Sequence, residues 1–176
     1  MATLPLIPDW QQLHPLIVHF PTALLLVAPI FILIGILRPP TSALPFLLSG
    51  LILMVLGTIA SYVALSTGLA AGSQTRLPIE INAVLKHHQS LAETTALTFS
   101  ALTMVFAAIV IVPRLLSRHL SSVITTALPA VFLVLYAAGV VLLVDTAHMG
   151  GRLVHEFGIT ATHPTGSRGQ VAFRGR

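Results

Sequence analysis

Long apolar runs alternate with short polar breaks along this chain. Four runs stand out, at about 16–37, 44–71, 90–112 and 126–148. Each is near or above the roughly 18 residues that mark a membrane-spanning helix. In lipid a segment must satisfy its own backbone polar groups, which a helix does and a lone strand does not. The breaks are sharp: Arg38-Pro39-Pro40 closes the first run, Pro113-Arg114 the third, and Asp145, His148 and Gly150-Gly151 the fourth. The pattern predicts an all-α integral membrane four-helix bundle, up-down-up-down, with the N- and C-termini on the same side. Residues 1–15 form an N-terminal segment, 16–159 the four-span transmembrane domain, and 160–176 a polar tail rich in Gly, Ser, Thr and Arg. Within the longer connection between the second and third runs, 78–88 reads as an amphipathic helix lying in the interface.

Composition points the same way. Only 8% of the 176 residues are charged and 55% are hydrophobic, whereas soluble domains carry about 25% charge. The net charge is +4, but the basic residues sit at the ends of apolar runs or in the tail, where they face headgroups. No basic stripe with interleaved aromatics is present, which argues against nucleic acid as a partner. The chain has no Cys, so a disulfide framework, a Cys-held iron–sulfur cluster and a covalent c-type haem are excluded. The first residues lack the basic segment of a signal peptide, so the first run is expected to remain as a span. Short loops carrying Arg38, Arg114 and Arg118 favour a cytoplasmic position for that end, leaving the other end periplasmic; Arg168, Arg174 and Arg176 in the tail weigh against this.

Seven of the eight histidines fall at one end of such a bundle: His14 and His19 open the first span, His87 and His88 the third, and His148, His155 and His163 follow the fourth. Polar sequence concentrates there too, so position is more informative than number. An imidazole within a span is costly unless a partner satisfies it. His14 and His19 are five residues apart and point about 140° apart on a helix, and the adjacent His87 and His88 diverge by about 100°. Each therefore needs a partner from another helix. That is the arrangement of a non-covalent haem b held by histidines from facing helices. Spacing alone equally allows interfacial histidines bonded to carbonyls, water or headgroups, and also a chlorophyll-type pigment or a bare metal ion. His19, His88 and His148 are expected to point into the bundle and to ligate a haem iron, with His14, His87 and His155 as further cofactor-binding candidates.

Two carboxylates accompany them. Asp145 lies three residues before His148, on the same helical face, and is a candidate acceptor for that imidazole or a partner for Arg152. Glu93, inside the third span, is a candidate proton carrier or quinol-site base, or a partner for Lys86 or Arg76. Gly57, Ser61, Ala64 and Gly68 form a small-residue stripe on the second span. It suits close helix packing and secondarily gives room for a flat macrocycle. Pro21 and Pro29 each deprive a carbonyl in the first span of its helical partner.

The string Leu13-His14-Pro15-Leu16-Ile17-Val18-His19-Phe20-Pro21 resembles the opening of a bacterial membrane family, domain of unknown function 2231, whose pattern continues through Ala23 and Leu24. The similarity extends to Thr67-Gly68 and Gly72, to His87-His88, and to His148-Met149-Gly150-Gly151-Arg152-Leu153-Val154. It implies a four-span protein with histidines gathered at one face, in a bacterial cytoplasmic membrane. The family commonly continues with Tyr and His at the positions held here by His155 and Phe157. Either His155 replaces the lost ligand or one site is altered.

The expected function is a small b-type cytochrome acting as an electron-transfer or quinol-interacting subunit of a membrane redox complex. The alternative is a cofactor-free structural or accessory subunit of a photosynthetic or respiratory complex. A proton channel or transporter using Glu93 and Asp145 is a weaker third. No Ser-His-Asp arrangement, phosphate loop or zinc-protease motif marks a stand-alone enzyme.

Overall fold

A computed structural model describes residues 9–73, 77–116 and 121–159. The tail with His163, and the loop residues Arg76, Arg118 and His119, lie outside these. A 3-10 turn, Trp10–Leu13, leads into α1, which runs His14–Leu37 with a break in its hydrogen-bond pattern at Val18. Three longer helices follow: α2 (Pro40–Ser73), α3 (Ile79–Leu115) and α4 (Ser122–His155). All four are long and apolar enough to cross a membrane. The protein is an all-α, multi-pass membrane bundle.

The helices occupy the corners of a square. α1 packs on α2 and α4, and α3 packs on α2 and α4. Across the diagonals α2 and α4 touch weakly, and α1 and α3 make no backbone approach among the described residues. Large apolar side chains such as Ile30, Ile52, Ile59, Leu97, Met104, Val131, Val134 and Val141 face outward. In water that surface would drive aggregation; in a bilayer it is the surface lipid tails cover.

Three helices are longer than the apolar runs suggested. α3 begins at Ile79, so the amphipathic stretch 78–88 is no separate interfacial helix but the first turns of the third span. Its 37 residues extend about 55 Å at 1.5 Å per residue, well beyond a hydrocarbon core of about 30 Å. The 24 residues of α1 reach only about 36 Å. The surplus length therefore lies at the histidine end. Polar side chains are tolerated there because the helix has left the hydrocarbon, and for the same reason the apolar signal fades. Gly158 ends the helical path just past α4 with a left-handed φ of 64°, a conformation glycine adopts without steric penalty. Its N–H bonds the Val154 carbonyl.

The core divides into an aromatic half and a hydroxyl half. Phe106 and Phe132 stack at 4.7 Å, and Phe99 meets Tyr136 edge-on at 5.4 Å. Between this cluster and the histidine end lie Thr58, Ser61, Thr67 and Thr95, all buried. Thr58 and Thr103 join α2 to α3 at 2.9 Å, and Thr95 and Thr146 join α3 to α4 at 2.7 Å.

Pro29 accounts for one buried bond between distant helices. Lacking an N–H, it cannot satisfy the Leu25 carbonyl one turn earlier. The Tyr136 hydroxyl donates to that carbonyl at 2.7 Å. A buried carbonyl left bare in lipid is costly, although measured bonds of this kind in membrane proteins average below 1 kcal/mol. Tyr136→Phe is expected to destabilise the bundle by about 1 kcal/mol, measured by unfolding in detergent. In a Pro29→Ala background, where a backbone N–H replaces the hydroxyl, the same change is expected to cost less.

Candidate functional site

Two of the histidines are drawn into the bundle, and they come from diagonal helices. His14, at the start of α1, is half-buried. Its Nδ1 lies 2.9 Å from the Ala64 carbonyl and 3.2 Å from the Thr67 hydroxyl, both on α2. His88, near the start of α3, is also half-buried, with Nδ1 3.1 Å from the Thr146 carbonyl on α4. A carbonyl only accepts, so in both rings Nδ1 carries the proton. Nε2 is then the lone-pair nitrogen of each neutral imidazole. Neither Nε2 has a protein hydrogen-bond partner among the described residues.

Each ring is seated on a glycine of the helix that holds it. A Cβ built on Gly68 would lie 2.8 Å from Cε1 of His14, and one on Gly150 would lie 3.0 Å from Cε1 of His88. Real side chains do not approach as closely as at Gly68, and at Gly150 the ring would have to give way by a few tenths of an ångström, so both positions favour the absence of a side chain. The small-residue stripe of α2 is thus divided. Gly57 lets Leu25 of α1 pack against it, while Ala64 and Gly68 form the bed of the His14 ring. The arrangement repeats on the other side of the square: an imidazole from one helix, a carbonyl and a glycine from its neighbour, four residues apart.

His88 sits in a short hydroxyl relay. The Thr146 carbonyl accepts from the ring, the Thr146 hydroxyl donates to the Leu142 carbonyl, and Thr95 bonds that hydroxyl. On the other side the Thr67 hydroxyl donates to the carbonyls of Ala64 and Val63. Both anchor points are therefore held by several bonds, which fixes the ring orientations. Gln12, two residues before His14, has a buried side-chain amide nitrogen with no partner. A buried donor in that state needs an acceptor that the described residues do not supply.

The other candidates lie elsewhere. His19 and His148 were expected inside the bundle, but both are exposed on its outer surface, as are His87 and His155. The reason for His19 is the helical turn anticipated from its spacing: with His14 facing α2, a residue five positions on faces away. His148 is likewise two positions from Gly150, the residue that faces His88. Asp145 and Glu93 are exposed. Asp145 bonds neither His148 nor Arg152. Arg152 instead holds both oxygens of Glu156 at 3.0 Å, one turn on, and keeps that carboxyl below its usual range. Glu93 makes no ion pair with Lys86 among the described residues. No group of three or more His, Asp or Glu converges as a metal cluster among them either.

A cleft of about 560 Å³ lies at the opposite end of the bundle and no histidine lines it. The histidine pair and this cleft are separate features.

The chain is thus a small multi-pass membrane protein, a square bundle of four membrane-spanning helices with two glycine-seated imidazoles at one end. The chain belongs to the family described as "Predicted membrane protein (DUF2231)", whose model matches residues 11–163. No curated protein and no solved structure matches it. The matched region spans both imidazoles and both glycines that seat them.

Proposed function

We propose that this protein is a small b-type cytochrome in which His14 and His88 would hold a haem, serving as an electron-transfer or quinol-interacting subunit of a membrane redox complex. The observation that carries the reading is the matched state of the two rings. Metal-bound histidines almost always donate their other N–H to a carbonyl or carboxylate, which fixes the tautomer and raises ligand basicity. Both rings already do so. Two imidazoles from diagonal helices match the number of histidines that hold a haem b iron in a helical bundle. A bare zinc ion would want four ligands. The unpartnered Gln12 amide is a donor suited to a carboxylate or carbonyl of such a guest. Haem would supply the one-electron chemistry; the chain would supply ligands, ring orientation and a low-dielectric setting.

The placement of the rings near one edge of the membrane suits exchange of electrons with a partner or a quinol at that face. Short loops bearing Arg38 and Arg114 favour a cytoplasmic position for the opposite end, which would put the imidazoles on the periplasmic side of a bacterial inner membrane. The experiment is a dithionite-reduced minus oxidised spectrum of the purified protein, with haem counted by pyridine haemochrome. One haem b per chain is expected. A colourless protein from haem-replete cells would refute the reading.

The accessory-subunit reading also has an observation in its favour. Two imidazole-to-carbonyl bonds clamp α1 to α2 and α3 to α4 without any guest. On that reading the protein is colourless and loses stability, but no pigment, when either histidine is replaced.

A further inference from the structure

All five carboxylates of the chain, Asp9, Glu80, Glu93, Asp145 and Glu156, lie on the histidine half of the bundle. Among the described residues, the charged side chains of the short-loop end are Arg38 and Arg114. There a cleft of about 560 Å³ opens between the C-terminal end of α1, the first turns of α2, the end of α3 and the start of α4. Arg38 and Arg114 both line it, and both are exposed and form no ion pair among the described residues. Their guanidiniums are held in place by uncharged neighbours. Arg38 lies over the Phe46 ring at 5.5 Å, and Arg114 donates to the Val110 carbonyl. Leu47, Ile109, Val110 and Leu128 give the wall an apolar part, and Thr125 and Thr126 add hydroxyls beside it.

We infer that this cleft binds the phosphodiester headgroup of an anionic glycerophospholipid, with Arg38 and Arg114 on the phosphate and the glycerol and first acyl carbons along the apolar wall. Arginine presents a planar fork of donors matched to phosphate oxygens. Two such forks with no competing carboxylate leave a positive site that needs an anion. The size falls within the usual range for small-molecule sites, about 300–1,000 Å³. A free phosphate would engage the guanidiniums but would have no use for the apolar wall, whereas a lipid uses both. The position fits as well: the cleft opens where the helices leave the hydrocarbon, the depth at which headgroups lie.

The test is lipid retention and thermal stability of the full chain in detergent. Native mass spectrometry should show phosphatidylglycerol retained in preference to phosphatidylcholine. The Arg38→Gln/Arg114→Gln double variant is expected to lower that retention about tenfold or more, while Arg152→Gln, at the other end, leaves it unchanged. Titration of the wild-type protein with phosphatidylglycerol should raise its melting temperature, which keeps the test valid if the double variant folds poorly. Phosphatidylcholine or inorganic phosphate at the same concentration should not. Equal retention of the two lipids, retention of phosphatidylglycerol by a folded double variant, or equal stabilisation by inorganic phosphate would each overturn the inference.

Discussion

His14→Ala and His88→Ala are each expected to abolish the low-spin b-type spectrum, whereas His19→Ala and His148→Ala are expected to leave it within a few tens of per cent of wild type. This is the largest effect expected, because on the proposed reading each variant removes one of the two imidazoles that would hold the iron. It also separates rings that are seated from rings that are merely close in sequence. His14 and His19 share one motif, yet only His14 has a carbonyl, a hydroxyl and a glycine from α2 around it. Structural damage alone would weaken the fold without distinguishing bound from unbound haem. Imidazole added to His14→Ala or His88→Ala should therefore restore part of the spectrum. The readout is the reduced-minus-oxidised α band, normalised to protein.

The second large effect concerns Gly68, where two principles give opposite signs. Alanine is favoured over glycine in a helix interior by about 1 kcal/mol, so Gly68→Ala should stabilise α2 if helix propensity decides. The added Cβ, however, would sit 2.8 Å from Cε1 of His14. An imidazole is rigid and this one is tied to the Ala64 carbonyl, so it cannot swing clear without losing that bond. Overpacking of this kind costs about 1–3 kcal/mol, enough to reverse the sign. Gly68→Ala is expected to weaken haem retention about tenfold or more, the effect typical of disturbing a ligand's supporting contacts. Gly150→Ala, with 3.0 Å to His88, should act in the same direction and less strongly. Gly151→Ala is the control: nothing lies within 4 Å of its added carbon, so haem binding is unchanged. Haem occupancy during dilution or competition with apomyoglobin measures the series.

The four spans were legible because hydropathy over some twenty residues reports the one thing lipid demands of a helix. Their ends were not. From Ile79 to His88 the third helix carries Glu80, Asn82, Lys86 and His87, and a stretch of that polarity looks interfacial when read alone. It is a continuous helix because α3 keeps its packing on α2 and α4 after it leaves the hydrocarbon. The gathering of histidines at one end followed from the alternation of spans. Which imidazoles turn inward did not, since that depends on helix rotation, and rotation is set by neighbours. The usable signal was small residues: Ala64 and Gly68 on α2 and Gly150 on α4 mark where a neighbouring ring has room. Reading that stripe chiefly as helix packing was right for Gly57 and incomplete for Gly68. Pro29 was legible as a freed carbonyl, but its partner Tyr136 lies 111 positions away from Leu25 in sequence, beyond what local pattern conveys.

The division of the core has a functional reading as well. Aromatic packing toward the arginine end gives a rigid frame, and the hydroxyls toward the histidine end hold the carbonyls on which both rings hang. If the rings carry a redox cofactor, these bonds are the means by which the fold sets ligand basicity and hence potential. Removing the Thr95 hydroxyl would perturb His88 through Thr146 without touching the ring.

The most direct test of the central claim, that His14 and His88 together grip one iron, is the low-temperature electron paramagnetic resonance spectrum of the oxidised protein with its near-infrared magnetic circular dichroism. A low-spin ferric haem with the charge-transfer band of two imidazole ligands, converted to a high-spin or empty state in either single variant, is the predicted result. A spectrum that reports one imidazole, that survives both His14→Ala and His88→Ala, or that shows no haem would contradict it.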